Sequence, residues 1–138
     1  MADKLEDLPI YSRAVEFWSA INALLDRPGL RRNGDLRKQI EEANDSITAN
    51  MEEGFEQPTD KAFAGYLTYS KASLAEVLGR LKTAHRKRYI TAEELACRRE
   101  MGEQLGKMLG GFIKYLRRSD FKDRGGFRSG SDQDSIRD

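Results

Sequence analysis

This 138-residue chain is poor in the side chains that carry most protein chemistry: it holds one cysteine, Cys97, and one histidine, His85. A lone cysteine excludes an internal disulfide and a thiolate zinc cluster, and it fits a reducing compartment. A lone histidine excludes a di-iron bundle, which needs paired Glu-x-x-His motifs; the residue three before His85 is Lys82. His85 reads instead as a packed or hydrogen-bonded histidine on the core side of its helix. Cys97, with no base near it in sequence, reads as a small apolar helix residue and not a nucleophile. The three prolines, Pro9, Pro28 and Pro58, all fall between periodic segments. No apolar run approaches the roughly 20 residues that span a bilayer. The first residues, Met1-Ala-Asp-Lys-Leu-Glu-Asp7, lack the basic and apolar regions of a secretion signal, so the expectation is a cytoplasmic protein. Basic and acidic residues balance at 24 against 23, so net charge alone draws the chain to neither nucleic acid nor membrane. Neither metal, cofactor, membrane partner nor enzymatic activity is expected.

What is present is helical periodicity. Charged residues make up 34% of the chain, and apolar residues recur at steps of three and four. A first helix is expected at about 12–26, capped by Ser12, with Val15, Trp18, Ile21, Asn22 and Leu25 on one face. Pro28-Gly29 should stop it, and Arg31-Arg32-Asn33-Gly34 reads as a loop. A second helix, about 35–53, has Asp35 as its N-cap and carries the stripe Leu36, Ile40, Ala43, Ile47 and Met51, with Gly54 at C′. A third, about 60–88, lies behind Thr59 and aligns Phe63, Leu67, Ser70, Leu74, Val77, Leu78 and Leu81. A fourth, about 92–117, follows the capping box Thr91-Ala-Glu-Glu94 and carries Met101, Leu105, Met108, Leu109, Phe112 and Leu116. Residues 119–138 hold glycine, serine and alternating charge with little to bury, and read as a disordered polar tail. The fold expected is all-α: an antiparallel up-down four-helix bundle over 1–118.

Three features rise above this scaffold. Asn50, Glu53 and Ser73 form a polar group near the core edge, which either ties the second helix to a neighbour or contacts a ligand. Gly102, Gly106 and Gly110 repeat at steps of four in the fourth helix, and Ala72, Ala75 and Gly79 make a similar stripe in the third. Glycine within a helix costs about 0.5–1 kcal/mol relative to alanine. Such stripes serve close packing inside the bundle or a second buried face between subunits. Finally, up-down connectivity gathers Arg31, Arg32, Arg37, Lys38, Arg86, Lys87, Arg88, Arg98 and Arg99 at one end. Such an end suits a phosphate backbone and, with no aromatics interleaved, little sequence preference.

The segment Ser46-Ile-Thr-Ala-Asn50-Met-Glu-Glu-Gly54, followed by Phe63-Ala-Gly-Tyr-Leu67, Ala72-Ser-Leu-Ala-Glu76 and Tyr89-Ile-Thr91, resembles a bacterial four-helix-bundle family. That family includes the proteins encoded by intervening sequences within 23S ribosomal RNA genes. The resemblance covers about residues 10–118. Met51 replaces the usual isoleucine, and Glu42-Ala43 stands where the family carries an arginine-alanine pair, so any role of that arginine is absent. The resemblance implies no established enzymatic activity and a homo-oligomer, with a pentameric ring as in relatives. One related branch is accessory to diversity-generating retroelements and binds a reverse transcriptase and nucleic acid. The function expected is a non-enzymatic scaffold or adaptor with RNA or DNA held at the arginine-rich end. The alternative is a protein–protein module accessory to a nucleic-acid enzyme.

Overall fold

The computed structural model describes residues 3–119. A 3-10 turn, Leu5–Asp7, leads into five helices: α1 Pro9–Asn22, α2 Pro28–Arg32, α3 Gly34–Phe55, α4 Asp60–Arg86 and α5 Ala92–Arg118. Among the described residues there is no strand. The four long helices are those the periodicity demands, and α2 is an addition. Apart from Ser119, the disordered tail expected over 119–138 lies outside the described residues.

Local chemistry sets most of the boundaries. The Thr59 hydroxyl accepts from the Ala62 amide at 3.1 Å and so caps α4. At α5 the Thr91 hydroxyl accepts from the Glu94 amide at 3.0 Å while the Glu94 carboxylate accepts from the Thr91 amide at 2.9 Å. Each bond satisfies an amide with no partner inside its helix. Two expected caps are corrected. Asn33, not Asp35, caps α3, its Oδ1 accepting from the Leu36 amide at 3.2 Å. Helix α1 starts at Pro9 and not behind Ser12, because proline at the first helical position lacks an amide that would be unpaired there anyway. It ends at Asn22 and not near Asp26. Pro28 then opens the short α2 where a loop was expected.

Helix α3 packs along α4, α4 along α5, and α1 closes the bundle by packing on both α3 and α5. Every neighbouring pair of long helices is therefore antiparallel. The core is filled by Phe17, Ile21, Leu24, Leu30, Ile40, Ile47, Met51, Phe63, Leu67, Leu81 and Leu105. The expected α3 stripe is buried throughout, and in the α4 stripe only Leu78 is left half-buried. In α5 Ile113 is buried, whereas Met101, Met108 and Phe112 pack at the edge of the core. Helix α1 is turned from the expected face. Val15 is exposed and Trp18 half-buried, and Ile10, Ala14, Phe17 and Ile21 point inward. The Trp18 indole N–H needs an acceptor and finds Asp45 Oδ1 on α3 at 2.8 Å, so the all-carbon Phe17 takes the interior.

Gly54 is also corrected. It is a buried residue within α3, which runs on to Phe55, and not a C′ residue. A Cβ built there would fall 2.7 Å from Tyr66 Cβ and 2.8 Å from Phe63 Cδ1. Glycine is needed for the approach of α4, not for a turn. Among the described residues no helix is long and apolar enough to cross a membrane.

Candidate functional site

The connectivity places the α1–α3 connection against the α4–α5 turn, and the basic end forms there. Gly29 lies beneath the Tyr89 ring so closely that a Cβ on it would sit 2.2 Å from ring Cδ1. The Asn33 amide donates to the Tyr89 hydroxyl at 3.3 Å, and Arg27 spans the same end to Glu94 at 3.0 Å. Tyr89, part of the Tyr89-Ile-Thr91 turn, thus ties the two connections together directly after Arg86-Lys87-Arg88.

The nine cations expected at this end divide by what they touch. Arg37 donates to the Leu25 carbonyl at 3.0 Å and pairs with Asp26 at 3.7 Å and Glu41 at 3.5 Å. Arg31 reaches Asp26 at 3.9 Å, Lys38 pairs with Glu42 at 3.7 Å, and Arg99 pairs with Glu103 at 3.7 Å. Arg98 sends Nε and Nη2 to the Ala20 carbonyl at 3.1 and 3.0 Å, capping the end of α1 from α5. Arg32, Arg86, Lys87 and Arg88 form no ion pair among the described residues.

Arg88 is held in an unusual backbone state. Helix α4 closes with a Schellman motif: the Tyr89 amide donates to the Ala84 carbonyl at 2.9 Å and the Arg88 amide to the His85 carbonyl at 2.8 Å. The motif puts its C′ residue in the left-handed region, and Arg88 sits there at φ 66° where glycine is usual. A side chain in that region costs roughly 1–2 kcal/mol.

The polar group at α3–α4 is assembled only in part. The Ser73 hydroxyl donates to Ser46 Oγ at 2.8 Å, and the Asn50 amide donates to Ser46 Oγ at 3.0 Å and to the Ser46 carbonyl at 2.9 Å. Glu53 stands outside this set, exposed, its main-chain carbonyl accepting from the Gln57 side-chain amide at 3.1 Å. The fully buried amide is Asn44 instead. Its position four after Ile40 and three before Ile47 was the available signal. His85 is half-buried, and Cys97 is exposed on α5.

The small-residue stripes divide as well. Gly102 is buried, and a Cβ there would meet Leu78 Cδ1 at 2.9 Å, so it serves packing of α5 on α4. Gly106 and Gly110 lie at the surface of the α4–α5 seam, where a Cβ would meet Leu74 and Lys71 only at 3.6 Å. With Gly111 they floor a shallow groove rimmed by Lys71, Lys107, Lys114 and Glu103. Ala72, Ala75 and Gly79 are exposed on α4. Among the described residues no group of three or more His, Cys, Asp and Glu could hold a metal ion.

These features define an antiparallel helix bundle with one cation-rich end and a small-residue flank. The chain belongs to the 23S rRNA-intervening sequence protein family, whose model matches residues 6–111. A crystal structure of a protein of unknown function from the S23 ribosomal protein family of Bacteroides thetaiotaomicron shares the fold, with a TM-score of 0.69 at 23% identity. The match covers 76% of this chain and 98% of that one. No curated protein matches the sequence.

Proposed function

We propose that this chain is a non-enzymatic, self-assembling adaptor that holds a nucleic-acid backbone at its arginine-rich end. The observation that carries the reading is the set Arg32, Arg86, Lys87 and Arg88, cations clustered at one end without an internal ion-pair partner among the described residues. Arg37 and Arg27 are held by acids of their own chain, whereas these four are available to phosphate. Assembly through the α4–α5 flank, as a ring of parallel copies, would multiply such ends on one side and raise avidity. Family membership is consistent with this reading.

The test is fluorescence anisotropy with a mixed-sequence RNA across a salt series. Four cations on single-stranded RNA correspond to a log–log slope of about −3. Replacing Arg86, Lys87 and Arg88 with Glu is expected to abolish binding; binding that survives moves the site elsewhere. In parallel, Gly106→Leu is expected to reduce the assembly to monomers with unchanged helix content, read by light scattering and circular dichroism. A second reading, a purely protein-binding accessory subunit, is favoured by one fact: Arg31, Arg37, Lys38, Arg98 and Arg99 are already engaged. Wild-type protein indifferent to RNA at low salt would select it.

A further inference from the structure

Two surface features of the α4 flank bear on the self-assembly proposed above. One is Tyr69, at 62% relative exposure the most exposed large hydrophobic side chain among the described residues. Its ring meets Tyr66 edge-on at 6.2 Å, and Tyr66 in turn packs on Gly54, so Tyr69 stands on the α3 side of α4. Glu53, next to Gly54 in the chain, is exposed on that side and in no ion pair among the described residues. The other feature is the glycine-floored groove, on the opposite, α5 side of α4. Its lysines Lys71, Lys107 and Lys114 are likewise in no ion pair among the described residues.

The two features complement each other in shape and in charge. An aromatic knob with an adjacent carboxylate faces outward on one side of the helix. On the other opens a floor of missing side chains whose rim carries three ammonium groups and one carboxylate, Glu103, that is already paired with Arg99. They also lie at one height along the bundle. Gly110 is level with Lys71, and Tyr69 is two residues from Lys71, about 3 Å along the axis. Because both belong to one copy and lie on adjacent sides of it, they cannot meet within a chain. A second copy displaced sideways, without a shift along the axis, brings them together.

We infer that Tyr69 of one copy seats in the Gly106–Gly110 groove of the next, with Glu53 against the groove's lysine rim. The contact is heterologous: knob and socket are different surfaces, so every copy offers one of each. Different patches exclude a two-fold dimer, and at equal height the contact closes into a ring where the rotation between copies divides a full turn. The inference rests on the self-assembly proposed above and names the residue that enters the flank. Tyrosine suits the role, since it supplies a large rigid contact area at small entropic cost.

The test is disulfide trapping in a Cys97→Ser background, which removes the exposed native thiol. The double variant Tyr69→Cys with Gly110→Cys is expected to oxidise to a covalent ladder ending at the size of the native assembly. Each single variant is expected to stay unlinked. Covalent dimers from Tyr69→Cys alone would show a two-fold contact and overturn the inference. A double variant that assembles but stays unlinked would also overturn it while leaving self-assembly intact. Wild-type protein that is monomeric by light scattering would overturn both.

Discussion

The side-chain amide of Asn44 on α3 donates to the Trp18 main-chain carbonyl on α1 at 3.1 Å, in a site closed to solvent. The same amide reaches Asn22 Oδ1 at 3.3 Å, so one side chain fixes the shortest long helix against its neighbour. Helix α1 has less surface to bury than the longer helices, and a directional bond sets its rotation.

Asn44→Ala is expected to destabilise the protein by about 1–3 kcal/mol, the range for removing a buried hydrogen-bond partner. Asn50→Ala, at a half-buried site with its bonds inside the same helix, should cost under about 1 kcal/mol. Urea unfolding of the two variants checks the order; equal losses would mean that the α1 tie is not special.

Gly54 and Gly111 are expected to respond to alanine in opposite directions. At Gly54 the added methyl meets Tyr66 and Phe63 below 3 Å, so overpacking should cost about 1–3 kcal/mol. At Gly111 nothing lies within 4 Å, and the gain in helix propensity should stabilise by about 0.5–1 kcal/mol. Thermal melts of Gly54→Ala and Gly111→Ala give both signs in one experiment.

Arg88→Gly should separate stability from binding. Glycine relieves the left-handed backbone at φ 66°, for a gain of roughly 1 kcal/mol. The same change removes one of the open cations and should flatten the salt dependence of RNA binding by somewhat under one unit of slope. A variant that is less stable than wild type would show that the Arg88 side chain contributes more to the fold than its backbone state costs.

Tyr11 gives the pH dependence. Burial first, then its 2.8 Å hydrogen bond to Glu52 and the charge of that carboxylate, push the Tyr11 phenol up to about 12 from its usual 10.0. The folded state therefore favours the protonated phenol. The stabilisation is complete below pH 10 and is lost as pH rises through about 12. Tyr11→Phe should accordingly be less stable than wild type at neutral pH, with the gap closing over that alkaline window. Melts at neutral and strongly alkaline pH check it; a gap constant with pH would place the Tyr11 contribution in packing alone.

The sequence by itself determined the number of long helices, the caps at Thr59 and Thr91, and the buried faces of α3 and α4. Those depend on residues three and four apart, and local spacing carries them completely. It also determined that nine of the cations share one end, because short loops in an up-down bundle bring the α1–α3 and α4–α5 connections together. Tertiary structure decided the rest. Which of nine cations stay open depends on acids brought near by folding: Asp26 takes Arg31 and Arg37, and the Ala20 carbonyl takes Arg98 from 78 residues away. The face α1 buries was decided by α3, where Asp45 offers the Trp18 indole an acceptor and Asn44 bonds the Trp18 carbonyl, contacts between two helices that no single helical wheel contains. The glycines divided for the same reason. Gly102 and Gly106 are equivalent in spacing, and only the placement of α4 makes one a packing contact and the other the floor of an open groove.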